Sequence, residues 1–332
     1  MKLGVRRLIA LAQSPAGRIA GGLVGLLAVA LLVRHTGVDA VARALARGAH
    51  LLPFILLGEI AILACTLCAL RTLYGDARRA VPLSAWVRSG LIGYAVMGLV
   101  PAGRTAAEAM RAALLARYVG AARAAAAATR LQGVALIGNA AISLPAAWAA
   151  YHLLGPSLVP GAIVANGALV FVLGGAILLA GRRLGFGAFL GRRSTRAQAF
   201  GQAFDDHLRG EPLLPARAIG WEALSRCVQV SQCALLLSAV GGVVGIGQAL
   251  RAEGVLLVGG ALGDLVPAQL GVTEATYTLS SKALLLSASD AMAIALLAHL
   301  AQLFWVAVGS LVPLVWPAAP DAATQQLPAA TQ

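Results

Sequence analysis

Apolar runs at about 17–34, 50–73, 122–153, 158–181, 219–241 and 290–316 set the terms for everything else in this chain. Crossing the ~30 Å hydrocarbon core of a bilayer takes roughly 20 apolar residues in a helix, at about 1.5 Å of rise each. Inside lipid every backbone donor and acceptor needs a partner from the protein, so a spanning chain is helical or a closed barrel. No ten-residue segment alternates in the manner of a barrel strand. The expectation is an all-α, polytopic membrane helical bundle, one membrane domain over residues 1–332, with about six full spans. Composition agrees: 59% of the 332 residues are hydrophobic and 12% are charged, against about 25% charged in soluble domains.

One short pattern occurs twice. Residues 91–109 read LIGYAVMGLVPAGRTAAEA and residues 257–275 read LVGGALGDLVPAQLGVTEA. Aligned without gaps, they share Leu91/Leu257, Gly93/Gly259, the runs Leu99-Val100-Pro101-Ala102 and Leu265-Val266-Pro267-Ala268, and Glu108-Ala109 with Glu274-Ala275. A proline removes a backbone donor and clashes one turn back, so each copy is expected to break there. Pro101, Pro267 and Gly271 are the expected break positions. Chance similarity in an Ala-, Gly- and Leu-rich chain is the competing reading.

Charge placement orients the bundle. The net charge of +13 could point to nucleic acid, but the basic residues lie between apolar spans, as cytoplasmic loops require. No nucleic-acid partner is expected, and membrane lipids are. The segment 182–218 holds Arg182, Arg183, Arg192, Arg193, Arg196, Arg209 and Arg217 against Asp205, Asp206 and Glu211, and reads as a cytoplasmic loop. Residues 317–332 read as a disordered tail. If 84–101 crossed the bilayer fully, Arg71, Arg78, Arg79 and the basic N-terminus would all be external. If the stretch dips in at Pro101 and returns, they are all cytoplasmic, which the positive-inside rule favours.

The same reasoning makes 254–288 a hairpin entering from the opposite face. Each half, about 50–153 and 219–316, is then span, hairpin, span. Two re-entrant helical hairpins forming an inverted repeat is a recurrent transporter arrangement. The predicted setting is a bacterial cytoplasmic (inner) membrane, with both termini cytoplasmic.

Charged residues within such segments are costly, and they line paths or pair with one another. Glu108 and Arg111 are neighbours at i, i+3, and Arg104 precedes them by a turn. Guanidinium forks grip phosphate bidentately, so Arg104 and Arg111 are candidate headgroup ligands with Glu108 orienting one of them. A structural ion pair fixing the hairpin is the alternative. Glu274 has no basic neighbour within a turn; Arg226, Arg104 or Arg111 are candidate partners, and Asp264 could pair likewise. Glu59, Arg88, Glu222 and Arg226 are further charges within the spans, and they favour a polar cavity over a solid apolar bundle. His299 reads as a helix-contact residue. Cys65 and Cys68 share an apolar helix face with no second ligand pair, so no metal site and no cofactor is expected.

At the two repeated stretches the chain resembles the transmembrane region of the lysylphosphatidylglycerol synthase family, also described as flippase-like and including hopanoid-associated members. The family pattern of a Pro with a nearby Arg, then Gly-Glu-x-x-Arg, maps to Pro101, Arg104, Glu108 and Arg111. Its Pro followed by Gly-x-x-Glu maps to Pro267, Gly271 and Glu274. Ala107 stands where the family has Gly, and the interval from Pro101 to Glu108 is longer. In the next helix Thr129-Arg130-Leu131 keeps the Arg without the family's adjoining Glu or later Asp. The synthase's soluble aminoacyl-transfer domain is not found in these residues. The resemblance implies a stand-alone, non-enzymatic membrane domain: a lipid transporter or flippase handling an anionic phospholipid or polyprenyl-phosphate headgroup. An accessory subunit or enzyme of lipid-linked sugar or hopanoid lipid metabolism is the alternative, and a structural partner of another membrane protein is a third.

Overall fold

The computed structural model describes residues 27, 30, 31, 34, 37–183, 185 and 195–316, and among these it is helical with no strand. The expected first span, 17–34, and the tail from 317 lie outside the described residues apart from isolated positions. An amphipathic helix α1 (Val38–Gly48) runs through a single 3-10 turn into α2 (Leu52–Leu73). Then come α3 (Leu83–Leu99), α4 (Gly103–Val119), α5 (Ala121–Leu154) and α6 (Leu158–Arg183). Within the basic loop lies α7 (Thr195–Gly210), which the sequence reading did not anticipate. The second half comprises α8 (Ala216–Ala239), α9 (Ile246–Gly263), α10 (Val272–Leu279) and α11 (Ala288–Val315).

Local chemistry explains the boundaries. Gly120 and Gly155 turn the chain at φ 86° and 64°, in the left-handed region that glycine enters without steric cost. Ser287 caps α11, its hydroxyl accepting from the Asp290 N–H at 3.1 Å. Both repeated prolines break the helix. Val100 is extended ahead of Pro101 and Ala102 is left-handed, at φ 52°. Val266 is extended ahead of Pro267, and Gly271 turns the chain at φ 82° into α10.

Four segments are long and apolar enough to cross a membrane: Val38–Leu73, Ala121–Leu154, Leu158–Gly181 and Ala288–Val315. They match four of the six expected spans, and the protein is a multi-pass membrane protein. The fifth, α8, has 24 residues but carries Arg217, Glu222 and Arg226. The second hairpin begins at Ile246, eight residues before the expected position, with Gly245 extended ahead of it.

Each break folds the chain back on itself. A Cβ at Gly93 on α3 would meet Arg111 on α4, and one at Gly259 on α9 would meet Thr276 on α10. The halves then exchange partners: α3 packs on α11, α9 packs on α5, and α2 packs on α8. That last pair runs antiparallel, since Gly48, at the end of α1 just before α2, faces Ala239 while Gly58 on α2 faces Gln232. An arginine ties each of the first two exchanged pairs. Arg88 on α3 donates to the Trp316 carbonyl just after α11, at 2.9 Å, and Arg251 on α9 donates to the Ala149 carbonyl of α5, at 3.2 Å. At the centre the two breaks touch, with the Ala102 N–H donating to the Asp264 carbonyl at 2.8 Å.

Two apolar clusters flank this junction. One joins Ile55, Leu237, Ile294 and Leu297; the other joins Leu70, Trp86, Leu115 and Leu131. Close approach of α3 and α11 depends on Gly309, where a Cβ would stand 2.1 Å from the Leu91 carbonyl oxygen. Gly309→Ala is therefore expected to destabilise by about 1–3 kcal/mol, as overpacking does. It should lower the melting temperature in detergent, while Gly175→Ala, which meets nothing within 4 Å, leaves it unchanged.

Candidate functional site

Between the first hairpin and helices α2, α5 and α8 lies a cavity of about 140 Å³. The Pro101 break puts Arg104 in the first turn of α4, and Glu108 and Arg111 follow on the same face. From α2 comes Glu59, from α3 Tyr94, from α5 Gln132, and from α8 Glu222, Arg226 and Gln229.

Most charges are matched. Arg111 and Glu108 form a buried ion pair within α4. Tyr94 donates to Glu59 at 2.5 Å, and Gln232 donates both to Glu59 and to the Ile55 carbonyl, each at 3.0 Å. Arg226 donates to Gln229 and lies 3.8 Å from the fully buried Glu253 on α9. Four buried donor or acceptor atoms of cavity-lining residues remain unsatisfied: Glu108 Oε2, Arg111 Nε, Glu222 Oε1 and Arg226 Nε.

Arg104 stands apart. Its guanidinium lines the cavity and, among the described residues, makes no hydrogen bond or ion pair; its main-chain carbonyl accepts from Gln132 at 3.1 Å. Its charge is felt attractively by Asp264, Glu222 and Glu108 and repulsively by Arg226. It also sits at the positive end of the α4 dipole, where anions are favoured. Chemically, the cavity offers a free fork donor at a helix start, facing acceptors that are only partly used.

Of the residues singled out by sequence, the cavity gathers Arg104, Glu108, Arg111 and Arg226. Asp264 reaches the junction through its main chain and lies near Arg104. Glu274 does not line the cavity. It is wholly buried, accepts from the Gly271 N–H at 2.8 Å and pairs with His299 Nδ1 at 2.6 Å rather than with Arg226, Arg104 or Arg111. His299 is thus more than a helix contact: it holds the start of α10. His299→Ala leaves a buried carboxylate with one partner fewer, and a loss of about 1–3 kcal/mol is expected, read as a lower melting temperature.

Arg130 is also placed elsewhere, donating to Glu211 at 3.2 Å and to the Pro212 carbonyl at 2.7 Å, where it ties the 211–215 linker to α5. Glu253 was missed because the expected hairpin began one residue after it; a carboxylate inside an apolar helix was the available signal. Tyr94, Gln229 and Gln232 gave no signal, since their roles follow from which helices pair. Among the described residues no group of three metal-ligating side chains occurs.

No curated protein and no solved structure matches the chain. The family model of the lysylphosphatidylglycerol synthase TM region matches residues 18–309, which takes in both hairpins and every helix that bounds the cavity. With the paired breaks, the cavity at their junction and this match in hand, the chain belongs to the lysylphosphatidylglycerol synthase transmembrane-region family.

Proposed function

We propose that the protein moves a lipid with an anionic headgroup between the leaflets of a bacterial cytoplasmic membrane, the phosphate being held at Arg104. The observation that carries this reading is the unpartnered Arg104 guanidinium in a cavity where the other arginines are engaged. A cation held among apolar helices without a hydrogen-bonded partner is costly, and a phosphate oxygen is the partner its fork fits best. Glu108 and Arg111 form the wall behind it.

Helix lengths support a first hairpin that turns back within the bilayer. The 17 residues of α3 and of α4 each extend about 25 Å, short of the ~30 Å core. The 34 residues of α5 extend about 51 Å, enough to cross with length to spare. Two re-entrant hairpins meeting at their tips leave a thin polar septum where a headgroup exchanges between sides, in an inverted-repeat arrangement.

The test is a leaflet assay. Purified protein is reconstituted with fluorescent phosphatidylglycerol, and a membrane-impermeant quencher reads the outer leaflet over time. Wild type is expected to expose the inner-leaflet probe, and Arg104→Ala and Glu108→Ala to slow that exposure. Equal rates in wild type, both variants and protein-free vesicles would remove the proposal.

A further inference from the structure

The polar cavity is too small to hold a lipid, so the rest of any lipid bound there must lie elsewhere. A second space adjoins it: a groove of about 380 Å³ between α4 and α5. On α4 its wall is built by Ala112, Ala113 and Ala116, and on α5 by Ala121, Ala125 and Ala128. Thr129, also in the wall, donates its hydroxyl to the Ala125 carbonyl at 2.9 Å. Phe200 of α7 also lines it. The volume lies within the ~300–1,000 Å³ range of ligand sites, and the facing methyl groups leave the space unfilled.

Small residues alone do not make a site. The second observation is Glu108, which lines both the groove and the polar cavity, is 7% exposed, and has a buried oxygen, Oε2, with no hydrogen-bond partner. Gln132 lines both spaces as well. The groove therefore borders the Arg104 cavity at a residue that carries an unsatisfied acceptor.

We infer that the groove takes one hydrocarbon chain of the lipid whose phosphate engages Arg104, with the free Glu108 oxygen accepting from a headgroup hydroxyl at the junction. The inference rests on the transport reading above and extends it from headgroup to acyl chain. Apolar burial supplies chain affinity without selecting one length, while the single polar contact at the mouth fixes which end of the lipid enters.

The test uses the full chain in nanodiscs containing phosphatidylglycerol with a photoactivatable diazirine on one acyl chain, followed by peptide mapping. Adducts are expected in 105–116 and 121–132, to fall at least several-fold in Ala112→Phe/Ala125→Phe, and to fall likewise in Arg104→Ala. If the double Phe variant does not purify as a single species, Ala113→Leu takes its place. A diazirine diacylglycerol, which lacks the phosphate, should label the groove weakly and without dependence on Arg104. Adducts confined to other helices, labelling unchanged by groove filling, or equal labelling by the diacylglycerol would overturn the inference. So would a disulfide between Ala112→Cys and a cysteine placed within residues 1–36 that excludes the lipid probe, since the chain's own segment would then be the occupant. Running the leaflet assay on the same variants separates the two readings. Arg104-dependent lipid movement without groove adducts removes this inference alone; groove adducts without lipid movement in wild type remove the transport reading.

Discussion

Arg104→Ala is expected to slow lipid movement by about 10- to 100-fold, the rate equivalent of the ~1.5–3 kcal/mol that a hydrogen bond to a charged group contributes. The fold should survive, because the guanidinium makes no hydrogen bond or ion pair among the described residues and its backbone carbonyl still accepts from Gln132. Arg104→Lys keeps the charge but loses the planar fork, so it should fall between the two. Melting temperature and elution profile give the control. A variant with wild-type stability and wild-type lipid movement would show that the unpartnered arginine is a bystander.

Arg111→Ala is expected to act in the opposite way, through stability. It strips the partner from Glu108, leaving a carboxylate that is 7% exposed beside an apolar cluster. Breaking a buried pair by removing one member costs about 3–5 kcal/mol, whereas replacing both with apolar groups is often neutral or stabilising. The double variant Glu108→Leu/Arg111→Met should therefore recover most of the melting temperature that Arg111→Ala loses, and should still fail to move lipid. Gly93 bears on the same pair: a Cβ there would stand 2.6 Å from Arg111 Nε. Similar stability in the single and double variants would mean that Glu108 is held by something other than Arg111.

Much of this architecture was legible because lipid leaves so few options. The long helices α5, α6 and α11 fall within about two residues of where apolar runs placed them, since each apolar run must satisfy its own backbone. Pro101 and Pro267 break the chain as their missing N–H requires. The contact between the two breaks follows from the repeat, yet its form, a single main-chain hydrogen bond from Ala102 to Asp264, does not.

The site was legible in part. Arg104, Glu108 and Arg111 lie close in sequence, so helical spacing alone put them together. Pairings between elements were not accessible in that way. Glu274 and Glu108 hold the same place in the two repeats, but one meets Arg111 on its own helix and the other meets His299 on α11. Local spacing could not distinguish these fates, because the second copy has Tyr277 where the first has Arg111. The helix α7 escaped notice for another reason: it is polar overall, so a search for long apolar runs passes over the helical spacing of Ala197, Gly201, Phe204 and Leu208, although the helix rests on α5 and α6.

The account depends on both hairpins returning to the face they came from, and sidedness labelling of single cysteines reads this directly. In a background with Cys65, Cys68, Cys227 and Cys233 replaced, Asp76→Cys and Arg117→Cys flank the first hairpin, and Val243→Cys and Ser287→Cys flank the second. The prediction is that an impermeant maleimide reaches the first two only from the cytoplasmic side and the last two only from the outside. Labelling of Asp76→Cys and Arg117→Cys from opposite faces would mean that the first hairpin crosses the bilayer, and the junction between the two breaks could not serve as a septum for a lipid headgroup.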